Sequence, residues 1–270
     1  KGQLLSLDEP QVMGILNVTP DSFYAGSRKQ TEAAIIDRIE TILREGASII
    51  DVGGYSSRSD AAEVSETEEM QRLEMALQPL LQHYPDVVVS VDTFRSSVAR
   101  QCVEKYGVAM INDISGGELD EQMFDTVAQL RVPYIMMHMR GTPQTMQQQT
   151  DYEDVTADLL KYFSQKLERL FRLGVNDVIL DPGFGFSKTL TQNYELMRHL
   201  GDFRIFGLPL LVGVSRKSMI YKLLETTPEE SLNGTTVLHT YALLQGADIL
   251  RVHDVRAAKE AIRIVQQLKG

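Results

Sequence analysis

The sequence lacks any uninterrupted apolar stretch approaching the roughly 18–20 residues that a membrane-spanning helix needs, and its N-terminus lacks the basic-then-apolar pattern of an export signal. Both absences lead us to expect a cytoplasmic protein with no membrane partner. Cysteine is nearly missing: Cys102 stands alone, so the chain cannot form an internal disulfide or build a thiolate metal centre by itself. Within its helical pattern Cys102 reads as a small core residue. Basic residues are the minority, 27 against 37 acidic ones, for a formal charge of −10. That balance argues against non-specific nucleic-acid binding but leaves room for a local basic pocket. No linker rich in Pro, Gly or Ser divides the chain, and no fixed-period repeat is visible, so residues 1–270 read as one domain.

What is present is ample material for a core, 43% hydrophobic residues with 24% charged, in a strict alternation of two patterns. Short apolar or β-branched runs at 12–17, 48–52, 87–91, 109–112, 134–137, 178–180, 210–214 and 248–252 read as strands. Longer stretches with helical spacing follow at 31–45, 65–83, 96–106, 121–130, 152–173, 192–200, 228–245 and 255–268. The second of these opens with Ser65-Glu66-Thr67-Glu68, which fits a capping box. Parallel neighbours need a crossover connection and a helix supplies it, so eight strand–helix units point to a closed (β/α)8 barrel rather than an open sheet.

Polar residues gather where the strands end. Asn17 follows the first, Asp51 the second, Asp92 the third and Asn112 the fourth, while Asp181, Ser215-Arg216-Lys217 and Arg251-Val252-His253 follow the later ones. In a barrel these tips surround one mouth, where such folds place their chemistry. Carboxylates beside an amide and a lysine suit a flat heterocycle bearing both N–H donors and carbonyl acceptors. Arg251 and His253, two apart on a strand, project to one side and suit a phosphate-like anion, with His253 able to change charge near neutral pH. Plainer readings stand beside these. A lone Asp at a strand end commonly caps the next helix, and Asp92 is open to that; Asp181-Pro182-Gly183 is open to being only a turn. His138 reads as structural, Gln147-Gln148-Gln149 as a solvated loop, and Met136, Met137 and Met139 as core.

From Gly14-Ile15-Leu16-Asn17-Val18-Thr19-Pro20-Asp21-Ser22-Phe23 onward, the ordered motifs resemble the dihydropteroate synthase family. The likeness continues through Asp51-Val52-Gly53-Gly54, Val91-Asp92-Thr93, Asn112-Asp113-Ile114-Ser115-Gly116, Met139-Arg140-Gly141-Thr142-Pro143 and Asp181-Pro182-Gly183-Phe184-Gly185-Phe186. It closes with Ser215-Arg216-Lys217 and Arg251-Val252-His253-Asp254, one motif per strand end over nearly the whole chain.

The resemblance implies a pterin-binding (β/α)8 barrel that joins 6-hydroxymethyl-7,8-dihydropterin diphosphate to 4-aminobenzoate in folate biosynthesis, releasing diphosphate. Carried over by motif, Asp92, Asn112, Asp181 and Lys217 would hold the pterin, while Asn17, Ser57, Arg58, Arg251 and His253 would take the diphosphate, Asn17 through Mg²⁺ as the expected cofactor. Pro20, Phe23, Phe186, Ser215, Arg216 and Lys217 would border the aminobenzoate, and Asp92, Lys217, Arg251 and His253 would carry the catalysis. It also implies a homodimer and a sulfonamide target. The displacement reads as dissociative, with carboxylates favouring the cation left on the pterin methylene. Backbone N–H groups near Ser215-Arg216 are expected to receive the aminobenzoate carboxylate, and the loops at 18–30 and 54–66 to act as lids.

Departures from the family pattern fall in those loops. Tyr24-Ala25-Gly26 stands where the family usually has a residue, then Asp and Gly, and Tyr55-Ser56-Ser57-Arg58-Ser59 where it commonly has Glu-Ser-Thr-Arg-Pro. Ser57 keeps a hydroxyl and Arg58 a cation, but the lost proline frees the backbone. Two other readings remain: a methyltransferase on the same barrel, passing a methyl group from methyltetrahydrofolate to a corrinoid protein, and a non-catalytic pterin-binding protein. The first needs neither a diphosphate clamp nor an aminobenzoate site.

Overall fold

Every apolar run between the polar tips becomes a strand in the computed structural model, which describes residues 5–18, 28–55 and 64–269, with backbone only for 28–31. The strands are β1 (Gln11–Asn17), β2 (Ile49–Gly53), β3 (Val88–Asp92), β4 (Met110–Asp113), β5 (Tyr134–Met137), β6 (Val178–Asp181), β7 (Leu211–Val212) and β8 (Ile249–Val252). All pair in parallel, in the order β6-β5-β4-β3-β2-β1-β8-β7. A parallel bridge between Leu180 and Leu210 joins the two ends of that row. The architecture is a single (β/α)8 barrel.

Between strands run α1 (Arg28–Arg44), α2 (Glu66–His83), α3 (Ser96–Tyr106), α4 (Met123–Leu130), α5 (Val155–Arg172), α6 (Leu190–Arg198), α7 (Ser218–Tyr221), α8 (Leu232–Leu244) and α9 (Val255–Lys269). The described residues thus hold nine α-helices instead of the expected eight, because a single helical turn, α7, precedes α8, and two short 3-10 segments besides, at Met146–Gln148 and Leu200–Phe206. Helix α8 starts at Leu232 and not at 228: Ser231 Oγ donates to the Pro228 carbonyl at 2.7 Å and closes a turn there. At α2 only half of the expected capping box forms. Ser65 Oγ accepts from the Glu68 N–H at 3.2 Å, but the Glu68 carboxylate pairs with Arg72 instead of reaching back. A complete capping box, unforeseen in the sequence, opens α6 at Thr189 and Gln192.

The two-residue period of the strands sorts their side chains into two layers. Val12, Ile50, Val89, Ile111, Tyr134, Val178, Val212 and Leu250 face outward into one large core shared with the helices. Each such fully buried aliphatic chain contributes about 1.5–3 kcal/mol by leaving water. Facing inward, Met13, Ile49, Met110, Ile135, Ile179, Leu211 and Ile249 form a separate apolar floor inside the barrel, with Leu5 and Leu7 packed against it. Two residues further along the same strands, on the same inner side, stand Asp51, Asn112, Met137, Asp181, Gly213 and Arg251. The change from apolar to polar along the inner face is what creates a site at the C-terminal mouth.

Candidate active site

Arg251 on β8 crosses the barrel to two carboxylates. Its Nε donates to Asp51 Oδ2 and its Nη2 to Asp92 Oδ2, both at 2.7 Å. Burial works against the guanidinium charge, but Asp51 and then Asp92 outweigh it and raise its pKa further. Asp92, at the end of β3, is therefore not a helix cap; the first N–H of α3, on Ser96, is received instead by Asp120 Oδ2 at 2.7 Å. Desolvation pushes the Asp92 carboxyl up, against the pull of Arg251.

The neighbouring tips continue the ring. Asn112 on β4 is buried and donates from Nδ2 to Asp51 Oδ2 at 3.0 Å. The next residue, Asp113, points the other way and fixes its loop, receiving the Ser115 N–H, the Gly117 N–H and the Tyr134 hydroxyl at 2.8, 2.8 and 2.7 Å. Asp181 is both a turn residue and a site carboxylate. Its Oδ1 accepts from the Gly183 N–H at 2.8 Å, while burial raises its pKa against the opposing charge of Lys217. Lys217 Nζ donates to the Phe184 carbonyl at 2.6 Å and lies 4.6 Å from the centre of the Phe186 ring. Desolvation, only partly offset by Asp181, brings its pKa down to about 8.

Small residues keep the interior open. A methyl group on Gly213 would lie 3.8 Å from Lys217 Nζ and 3.9 Å from Arg251 Cβ. A methyl on Gly53 would lie 3.3 Å from Asn17 Oδ1 and 4.0 Å from Asp92 Oδ2, so both oxygens converge on the space that this glycine leaves. Beside the polar ring, Ile114, Met137, Met139 and Met146 form an apolar wall with Phe94, Leu119 and Phe186 packed on it. The three expected core methionines, Met136, Met137 and Met139, are all buried.

Behind that wall, Lys188 is buried and donates from Nζ to the carbonyls of Gly183 and Phe186 at 3.0 and 2.9 Å, and lies 3.1 Å from His138 Nδ1. Lys188 thus ties the loop after β6 to the tip of β5, and His138 has the structural role expected of it. Gln147, in the exposed stretch after β5, donates to the Gly185 carbonyl at 3.1 Å.

The rim holds the remaining candidates. Ser215 Oγ accepts from the His253 N–H at 3.2 Å, and the His253 carbonyl accepts from Arg38 Nη2 at 2.8 Å. Although His253 is exposed at the rim, desolvation by the surrounding chain and then the Arg251 charge push its imidazole below the usual range. The shift moves the expected change of charge toward the acid side of neutral in the free protein.

Arg216 departs from expectation more clearly. Its guanidinium makes a two-pronged pair with Asp254, at 2.7 and 2.9 Å, and also reaches the carbonyls of Pro228 and Glu229. Its own N–H donates to Thr235 Oγ1 at 3.0 Å. Its backbone donor and all but one Nη2–H of the guanidinium thus pin the α8 and α9 starts, leaving a single N–H for an aminobenzoate carboxylate. Pro20, Phe23, Ser57 and Arg58, with most of both expected lids, lie outside the described residues.

Asn17, Asp92, Asn112, Asp181, Lys217 and Arg251 thus share the inner face of one mouth, with Phe186, Ser215 and His253 on its border. Acceptors and donors, Lys217 among them, surround an apolar wall on one flank, and Arg251 reaches the other. Such a cavity can orient a flat, multiply hydrogen-bonding ring and neutralise an anion beside it, and among the described residues it offers no activated nucleophile.

Comparison with known proteins agrees with this chemistry. The family model described as pterin binding enzyme matches residues 13–253. The dihydropteroate synthase of Escherichia coli K12 is 44% identical over 269 residues, covering 98% of this chain and 94% of that protein. Among solved structures, the Yersinia pestis dihydropteroate synthase in a sulfonamide drug complex superposes with a TM-score of 0.90 at 41% identity, covering 100% of this chain and 98% of that one. The Xanthomonas albilineans dihydropteroate synthase with 4-aminobenzoic acid gives 0.90 at 36% identity, covering 98% and 95%. In sequence and in fold, the chain belongs to the dihydropteroate synthase family of pterin-binding enzymes, transferases of folate synthesis.

Proposed function

We propose that this chain condenses 6-hydroxymethyl-7,8-dihydropterin diphosphate with 4-aminobenzoate to 7,8-dihydropteroate and diphosphate, acting on small molecules and not on nucleic acid or membranes. The observation that carries the reading is the convergence of Asp92, Asn112, Asp181 and Lys217 with Asn17 and Arg251 on one inner face. In this reading Asp181 and Asp92 accept from pterin N–H groups, Asn112 and Lys217 complete the ring's edges, and the wall of Met137, Met139 and Phe186 takes its face. Arg251 neutralises diphosphate charge and the His253 imidazole donates a hydrogen bond to it at the rim as the C–O bond breaks, while Asp92 and Asp51 favour the positive charge on the pterin methylene. The aniline nitrogen then attacks that carbon and loses its proton to water. Ser215 and the Phe186 ring border the aminobenzoate, and Pro20, Phe23, Ser57 and Arg58 are assigned roles beside it and the diphosphate by motif alone.

Magnesium fits the residues present. Among the described residues no cluster of three or more His, Cys, Asp or Glu side chains could hold a metal, and Asn17 offers a single hard oxygen beside Asp92. Mg²⁺ takes few protein ligands and keeps waters, so Asn17 would hold it together with diphosphate oxygens, and it would there neutralise leaving-group charge.

A homodimer is supported by the outer face of α8, where Val237, Tyr241 and Leu244 recur at helical spacing and are exposed, with Ile264 and Leu268 exposed on α9. No helix among the described residues is long and apolar enough to cross a membrane, and a cytoplasmic setting agrees with a lone, buried Cys102. Turnover tests the function: diphosphate release should require 4-aminobenzoate and yield dihydropteroate. Methyl transfer to a corrinoid protein without such release would overturn it.

A further inference from the structure

Below the mouth, one carboxylate is shared by residues that the proposed function divides between two halves of a substrate. Asp51 is fully buried, and a single oxygen, Oδ2, receives both the Asn112 amide at 3.0 Å and the Arg251 Nε–H at 2.7 Å. Its other oxygen, Oδ1, is buried with no hydrogen-bond partner among the described residues. Ser90, its register neighbour on β3, likewise carries a buried hydroxyl without a partner there. Leaving a carboxylate oxygen unpaired in the interior costs stability, so a polar pair at this depth, directly above an apolar floor, does not serve packing.

The opposite end of the same arginine is what gives Asp51 consequence. Arg251 Nη2 donates to Asp92 Oδ2, so in the free protein the guanidinium engages one oxygen of a carboxylate that the proposed function assigns to the pterin. A guanidinium has five donors in a rigid fork and cannot give its whole outer edge to a diphosphate while retaining Asp92. An incoming anion would therefore compete with Asp92 for Arg251 and free Oδ2 to accept from the heterocycle. Asp51 makes that exchange possible, because it grips Nε at the inner end and keeps the arginine from either leaving the site or folding wholly onto Asp92.

We infer that Asp51 is a positioning residue that couples the diphosphate and pterin halves of the site by holding Arg251 and Asn112 through one shared oxygen. This rests on the function proposed above. Asp51→Asn is the discriminating variant: it matches the carboxylate in shape and keeps an accepting oxygen for Asn112, but it removes the charge that retains Arg251.

The test is calorimetric titration of the full chain, in magnesium buffer, with inorganic pyrophosphate and with 6-hydroxymethylpterin, each alone and in the presence of the other. In the wild type each ligand should strengthen the other about fivefold. In Asp51→Asn that interdependence should vanish, and turnover should fall about tenfold while the unfolding transition stays cooperative. A purely structural role would lower the melting temperature and the active fraction but leave the ratio of affinities unchanged. Arg251→Lys supplies a second route should Asp51→Asn fail to fold, since an ammonium cannot span both carboxylates; it too should abolish the interdependence. A folded variant of either kind that keeps the wild-type ratio, or a wild type whose two ligands bind independently, would overturn the inference. A wild type that binds neither ligand and forms no dihydropteroate would instead strike the functional reading, and this inference with it.

Discussion

At the scale of single residues, the site is governed by charges taken out of water. Lys217 shows the effect most usefully, since its ammonium loses its proton near 8 and not near its ordinary 10.5. The protonated form is the one that can donate to a pterin carbonyl, so it is present below about 8 and lost as the pH rises through that value. Pterin affinity should therefore weaken with a midpoint near 8, and Lys217→Met should remove that alkaline limb; a limb unaltered in the variant would assign it to another group. The two flanks can be separated in the same way. Arg251→Ala and Asn17→Ala should weaken pyrophosphate binding by about tenfold or more, with a smaller effect on a bare pterin. Asp181→Asn should do the reverse, costing the pterin about 1–3 kcal/mol by turning an acceptor into a donor that faces substrate N–H groups. Arg216 belongs to neither flank: with its guanidinium spent on Asp254 and two carbonyls, Arg216→Ala should act on stability before it acts on substrate.

At the scale of elements, strand ends carry the function and their loops are braced from behind. The loop after β6 is the clearest case, tied by Lys188 and turned by Gly183. Gly183 has φ +71°, and a methyl group there would meet the His138 carbonyl oxygen at 2.1 Å. Gly183→Ala should thus cost about 3 kcal/mol or more in denaturant unfolding, from backbone strain and collision together. The strands, their order of appearance and the polar tips were legible in the sequence because short apolar and β-branched runs are local signals. Asp51 was visible as a strand-tip acceptor, but its grip on both Asn112 and Arg251 was not, since that joins positions 61 and 200 residues apart. The fate of Arg216 was hidden for the same reason: nothing near it in the chain announces Asp254 as its partner. The start of α8 and the extra turn α7 were missed because Pro228–Ser231 has helical composition yet closes on itself through a hydroxyl.

At the scale of the whole molecule, the barrel's outer surface carries one apolar stripe at helical spacing, where α8 presents Val237, Tyr241 and Leu244 to solvent. If this is where two copies meet, Val237→Glu should yield monomers in analytical ultracentrifugation while the secondary structure persists; an unchanged sedimentation coefficient would move the interface elsewhere. The circle of strands is uneven. Adjacent strands elsewhere are laced by runs of two to five paired residues, whereas β6 and the β7 segment meet only at Leu180 and Leu210. Asp181 belongs to one bank of that thin seam and Lys217 follows the other. The barrel should therefore breathe first where these two opposite charges face each other, and amide hydrogens of β7 should exchange sooner than those of β1 or β2. Ligand that bridges Asp181 and Lys217 would then act as a rivet across the hoop, slowing exchange on both banks at once.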